Sequence, residues 1–179
     1  IGSEYNSRPF STIREAYFLI KSGLRKYWRV HYQKTIDKNG FLVPFLVGGW
    51  TNRFAGVHMH VSFRGRQLTH QTAASLANHI HDHIPLLIAM ASNSPVWNKK
   101  ITAFASNRIL KGSRYHFIPH ARDHLRHYDR DELVYNRGRK RKPPTLEIRV
   151  FDSNIPEYLI AAMVIVKALA LGKMRKKHI

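Results

Sequence analysis

The chain has 179 residues, with 30 Lys and Arg against 11 Asp and Glu for a formal charge of +19, 12 His and no Cys. At 44% hydrophobic residues it can bury a core, which excludes wholesale disorder, and no apolar run reaches the ~18–20 residues that cross a bilayer as a helix. The lack of Cys excludes a disulfide scaffold, Cys-ligated zinc and a thiol nucleophile.

Residues 1–6 read as a short strand broken by Arg8-Pro9. Ser11-Thr12 with Glu15 is a capping-box signature, and Ile13, Ala16, Tyr17, Ile20, Leu24 and Tyr27 follow at helical spacing. Asp37 to Gly40 is a turn. Residues 41–47 then read as an apolar strand whose Pro44 suits a sheet edge, and Gly48-Gly49 and Asn52 mark a loop. Over residues 57–63 strict alternation places Val57, Met59, Val61 and Phe63 on one face and His58, His60 and Ser62 on the other. Residues 69–90 read as a long helix that Pro85 kinks or divides. Residues 92–141 are polar, basic and loop-like, with room for short helices. Residues 145–151 form a strand, and Pro156 opens a last helix over 157–171 before a basic tail, 173–179. This order predicts an α+β domain, helices packed on a largely antiparallel sheet, as one unit over residues 1–179.

Three groups of residues could carry chemistry. His58 and His60, two apart on one strand face, can both reach a metal or a phosphate; two ordinary solvated histidines are the plain alternative. In Thr145-Leu146-Glu147-Ile148-Arg149-Val150-Phe151-Asp152 the apolar Leu146, Ile148 and Val150 share one face, and Glu147 and Arg149 the other. A carboxylate there suits magnesium, and a guanidinium fork suits phosphate or carboxylate; a surface ion pair is the alternative. Arg108, Arg114, Arg137, Arg139 and Arg141 form a basic set, from which Arg108 stands apart.

Taken in order, these segments resemble a known family. Gly56-Val57-His58-Met59-His60-Val61-Ser62-Phe63 resembles the Gly-x-His-x-His-x-Ser/Gly strand of the glutamine synthetase superfamily. Asn93-Ser94-Pro95-Val96-Trp97 and Ala105-Ser106-Asn107-Arg108 look like the Asn-Ser-Pro and Ser-x-Arg segment of its type 2 glutamate–cysteine ligase and carboxylate–amine ligase branch. The strand Thr145 to Asp152 resembles that branch's Thr-x-Glu-x-Arg-x-x-Asp, and Glu157 to Ala162 its closing helix.

The resemblance implies an ATP- and magnesium-dependent ligase that joins a carboxylate to an amine through an acyl phosphate. It implies Glu147, His58 and Glu4 at the metal. His58, His60 and Arg137 would lie on the nucleotide phosphates, Arg149 on the transferring phosphoryl group, and Arg108 and Asn93 on the substrate. The family's opening Gly-x-Glu-x-Glu strand is matched only by Gly2-Ser3-Glu4-Tyr5-Asn6, so that strand either lies upstream of Ile1 or is lost. Its loss would favour a non-catalytic relative, a basic subunit that binds nucleic acid or protein. The charge also suits a polyanionic or protein substrate. A zinc hydrolase on His58 and His60 lacks a third spaced ligand. The expected setting is the cytoplasm, with no membrane partner; an oligomer is compatible.

Overall fold

The computed structural model describes residues 5–36, 54–112, 132–139 and 142–175. In chain order these form α1 (Ile13–Ile36), β1 (Gly56–Val61), α2 (His70–His81), α3 (Ile84–Ala91), β2 (Val96–Trp97), β3 (Lys100–Ile101), α4 (Asn107–Gly112), β4 (Leu133–Asn136), β5 (Thr145–Asp152) and α5 (Pro156–Arg175). The class is α+β, with helices on an antiparallel sheet.

Helix α1 starts at the expected box. Thr12 Oγ1 accepts from the Glu15 amide (3.1 Å), and Glu15 Oε2 accepts in return from the Ser11 amide (3.0 Å). The strand expected before it does not form in its described part. Tyr5 instead lies across α1 and donates its hydroxyl to Leu19 O (2.8 Å). Gly23 makes room for that ring: a Cβ there would sit 1.8 Å from the Tyr5 hydroxyl. The strand expected at 41–47 lies outside the described residues.

Pro85 divides the long helical stretch. Thr69 caps α2 by accepting from the Thr72 amide (3.2 Å), and the chain turns at Asp82-His83. Pro85 then occupies the first turn of α3, where its missing N–H costs nothing. The two helices bury Ala73, Leu76, Ala77, Ile80, Ile84, Leu87 and Ala91. Helix α5 runs past its expected end at Leu171 to Arg175, so the first residues of the basic tail are helical.

The sheet order is β1-β5-β4, with both pairs antiparallel. Strand β4 falls in the stretch read as loop, and it makes β5 the central strand. Leu133 and Tyr135 face the helices, while Val134 and Asn136 take the other side by alternation. Met59, Leu133, Leu146, Ile148, Val150 and Phe151 pack with α2, α3 and α5 in one core. Between β1 and β5 the register is broken once. Val57 pairs with Phe151 and Met59 with Ile148, so β5 advances three residues while β1 advances two. This bulge lies opposite His58 and turns both Val150 and Phe151 into the core. The sheet is therefore covered by helices on one face, and its other face carries the polar residues.

Candidate functional site

On that polar face the chemistry gathers around Glu147 in the central strand. Glu147 is only 7% exposed, and both of its carboxylate oxygens are engaged. His58 Nδ1 donates to Oε1 (2.8 Å), and Asn136 Nδ2 donates to Oε2 (2.8 Å). Arg149 Nε stands 3.6 Å from Oε1, near enough for charge pairing but outside a hydrogen bond. Glu147 sits opposite His60, yet it bonds the diagonal His58, the residue facing the bulge. His60 shares a 3.0 Å hydrogen bond between its Nδ1 and Thr145 Oγ1.

Electrostatics follow from this geometry. Burial alone would raise the Glu147 carboxyl. The hydrogen bonds from His58 and Asn136, with the charges of His58 and His60, outweigh it and hold the group down at about 2. Desolvation lowers the His60 imidazole below its ordinary value; His58, Lys142 and Arg149 add to that effect, and Glu147 opposes it. The cluster is thus one permanent carboxylate among imidazole and guanidinium donors, with His58 and His60 both exposed to solvent.

A second polar cluster lies at the far end of β5. Asp152 is 0% exposed, and its carboxylate accepts three hydrogen bonds. The Asn93 amide and Ser94 Oγ donate to Oδ2, both at 2.8 Å, and Arg108 Nε donates to Oδ1 at 2.9 Å. With its proton committed to Asp152, Ser94 Oγ accepts from Ser106 Oγ (3.0 Å) and from the Arg108 amide (3.2 Å). Arg108 Nη2 donates to the carbonyls of Arg149 and of Phe151, the latter at 2.7 Å, and so brackets the bulge from its backbone. Asn107 Nδ2 closes the cluster on Ser94 O (3.0 Å) and Thr102 Oγ1 (2.8 Å). Gly56 completes it: a Cβ there would meet three guanidinium atoms of Arg108 at 2.7 Å.

The structure thus brings His58, His60, Glu147 and Arg149 onto one face. Arg108 and Asn93, expected on the substrate, come together elsewhere. The carboxylate that Arg108 grips is the chain's own Asp152, and the Asn93 side chain donates to Ser153 O (3.0 Å). Burial is the physical reason, since a desolvated guanidinium needs a fixed anion and fixed acceptors. Arg137 is exposed at the end of β4, before the Gly138 turn (φ 80°), and makes no ion pair with Glu147. Glu4, Arg114 and Arg141 lie outside the described residues. Among those described, no group of three or more His, Cys, Asp or Glu could hold a metal ion. Asn136 escapes the sequence reading because its strand does. Its diagonal position to Glu147 becomes visible only once β4 is paired with β5.

The described residues thus form a largely antiparallel sheet with helices on one face and a carboxylate, two imidazoles and a guanidinium on the other. Residues 30–178 match the model of glutamate–cysteine ligase family 2, and the chain belongs to that family. Searches of the curated proteins and of the solved structures return no match. Among the described residues, no helix is long and apolar enough to cross a membrane.

Proposed function

We propose that the chain is an ATP- and magnesium-dependent ligase that activates a carboxylate as an acyl phosphate and couples it to an amine, residues 1–179 forming one ligase domain. The observation that carries this reading is the Glu147 cluster: an ionised carboxylate in the central strand, with His58, His60 and Arg149 on the same face. A carboxylate resists attack by an amine because its oxygen is a poor leaving group. Phosphorylation by ATP supplies the leaving group, and the amine then displaces phosphate. Such chemistry asks the protein for positioning and charge neutralisation rather than for a nucleophile. That demand suits a chain without Cys.

The donor set fits magnesium through one residue. Magnesium is commonly held by one or two carboxylates together with phosphate oxygens and water. Glu147, held down at about 2, is available as a carboxylate at any working pH. His58 is a poor magnesium ligand and suits the exchangeable hydrogen-bond partner that Glu147 releases when it takes a metal. Glu4 is the proposed second carboxylate. Bound there, magnesium would supply charge neutralisation to the phosphates. Arg149 would hold the transferring phosphoryl group through its planar fork, and His58, His60 and Arg137 would contact the phosphates as donors. Arg108 and Asn93, the proposed substrate residues, hold Asp152 and the backbone of β5 and would position the site from there.

The test is ATP hydrolysis or ADP release by the purified chain with magnesium, screened over paired carboxylates and amines. Turnover that requires both an acid and an amine supports the reading. Failure to bind ATP with magnesium overturns it.

A further inference from the structure

Helix α1 carries six Lys or Arg and a single acid, Glu15. Its inward face, with Ala16 and Ile20 buried, packs against α5. The attachment is also polar: Lys21 pairs with Glu157 at 2.8 Å, and Lys167 Nζ donates to Ser11 O at 3.0 Å. The outward face is the unusual one. Arg14, Phe18, Ser22, Arg25, Arg29 and Tyr32 follow one another at steps of four, four, three, four and three residues, and all six are exposed. That spacing draws one stripe about 27 Å long down the helix. Phe18 is 57% and Tyr32 43% exposed, and Tyr32 is stacked on Trp28 with ring centroids 5.7 Å apart. No ion pair engages Arg14, Arg25 or Arg29 among the described residues. The one acid of the helix is turned aside, its carboxylate held by Arg8 and the Ser11 amide.

We propose that this stripe binds single-stranded nucleic acid, with the three arginines on phosphates and Phe18 and Tyr32 offering their rings to bases. A face kept only for solubility would mix acids with its bases and would not hold two aromatic rings in water. A membrane-surface helix would set its apolar residues on one side and its cations on the other; here Ala16 and Ile20 are buried, and exposed rings and arginines share one line. Cations and rings interspersed along one track are the chemistry that a phosphate backbone with unstacked bases selects. The net charge of +19 would draw such a strand to the protein. The inference stands apart from the ligase reading: all of the stripe except Tyr32 precedes the family match at residue 30.

The experiment is fluorescence anisotropy of the full chain with labelled single strands of about 20 nucleotides, RNA and DNA, titrated across about 50–200 mM salt. Replacing Arg14, Arg25 and Arg29 together by Gln should flatten the slope of log affinity against log salt by about 2, since each phosphate contact on a single strand contributes about 0.7. Phe18→Ala and Tyr32→Ala should each weaken binding at least about fivefold while leaving that slope unchanged. Phe18→Leu keeps the apolar bulk without the ring and should weaken binding equally, which separates stacking from any loss of helix packing. An unchanged salt slope in the triple variant would overturn the proposal. So would full affinity in the ring variants, or equal affinity for a duplex of the same sequence. ATP turnover by these variants should stay at the parent level.

Discussion

Two arginine–carboxylate pairs draw their acids from the same strand, β5, and they are built in opposite ways. Arg108 meets the fully buried Asp152 at 2.9 Å, with each carboxylate oxygen accepting from the protein and two carbonyls receiving the guanidinium. Arg149 and Glu147 stand 3.6 Å apart on the polar face, and the close partner of Glu147 is the exposed His58. The first pair is closed: a ligand would have to displace bonds that hold three segments of chain together. The second is looser, since its guanidinium stands outside hydrogen-bond distance and the close partner of its carboxylate is an exposed imidazole. A strand can thus carry a closed knot and a looser cluster side by side, and the bulge is what separates them, because it turns Phe151 inward and lets Arg108 grip the backbone on which Arg149 rides.

The largest effect is expected from the closed pair. Asp152→Ala leaves the Arg108 guanidinium buried without its anion, and leaving a buried charge uncompensated costs about 3–5 kcal/mol. Urea denaturation of the parent and variant checks this. A loss below about 1 kcal/mol would mean that the pair is as dispensable as a surface bridge.

The looser pair should show itself in acid. The Glu147 carboxyl, at about 2 against an ordinary 4.5, contributes stability that is fully present above pH 4.5 and drains away as the pH falls toward 2. The linkage amounts to roughly 2–3 kcal/mol over that window. His60, lowered from 6.5, acts earlier: below pH 6.5 the unfolded chain takes up the proton more readily, so stability declines from there until the folded group also titrates. Melting curves of the metal-free protein between pH 7 and 2.5 should show both declines. Glu147→Gln should remove the lower one; if the acid limb survives that change, Glu147 is not its source.

A smaller cost falls on Gly56. Its alanine variant forces the Arg108 guanidinium aside at the point where β1 meets Asp152, and overpacking of this kind costs about 1–3 kcal/mol. Paired with Asp152→Ala, the two losses should fail to add, because both break the same contact. A double-mutant cycle in urea reads the coupling directly, and simple additivity would separate Gly56 from the knot.

The two pairs also differ in how much of each the residues alone disclose. Glu147 and Arg149 stand out because acids are scarce and the strand around them alternates. His58 and His60 stand out through the same alternation, so the polar face is legible from the order of residues by itself. The closed knot is not. Its donors are the Asn93 amide and the Ser94 and Ser106 hydroxyls, groups that look the same in a loop as in a buried network. Arg108 reads as a substrate grip because a lone arginine in a polar stretch gives no sign that an aspartate 44 positions later is its partner. One local sign of the bulge exists: after Leu146, Ile148 and Val150 the alternation breaks with a second adjacent apolar residue, Phe151. Strand β4 is hidden because four residues between charged neighbours carry too little pattern to outweigh their surroundings.

The smallest effect on the fold, and the sharpest on the comparison, comes from exchanging arginine for lysine at each pair in turn. The Arg149 pair with Glu147 spans 3.6 Å, outside a hydrogen bond, so what Arg149→Lys loses from that pair should be less than about 1 kcal/mol. Under the proposed function it should still lower ATP turnover at least about tenfold, because an ammonium cannot present a planar fork to a phosphoryl group. Arg108→Lys should act the other way round. A single ammonium cannot serve Asp152 and the carbonyls of Arg149 and Phe151 together, so stability should fall first, and turnover should follow only as far as the bulge loses its shape. Thermal melts and ATP turnover on the two variants therefore give crossed results if the strand divides its labour as described. Parallel losses at both positions, in melt and in turnover alike, would show that Arg149 is a second structural bridge and would remove the phosphoryl-holding role from it.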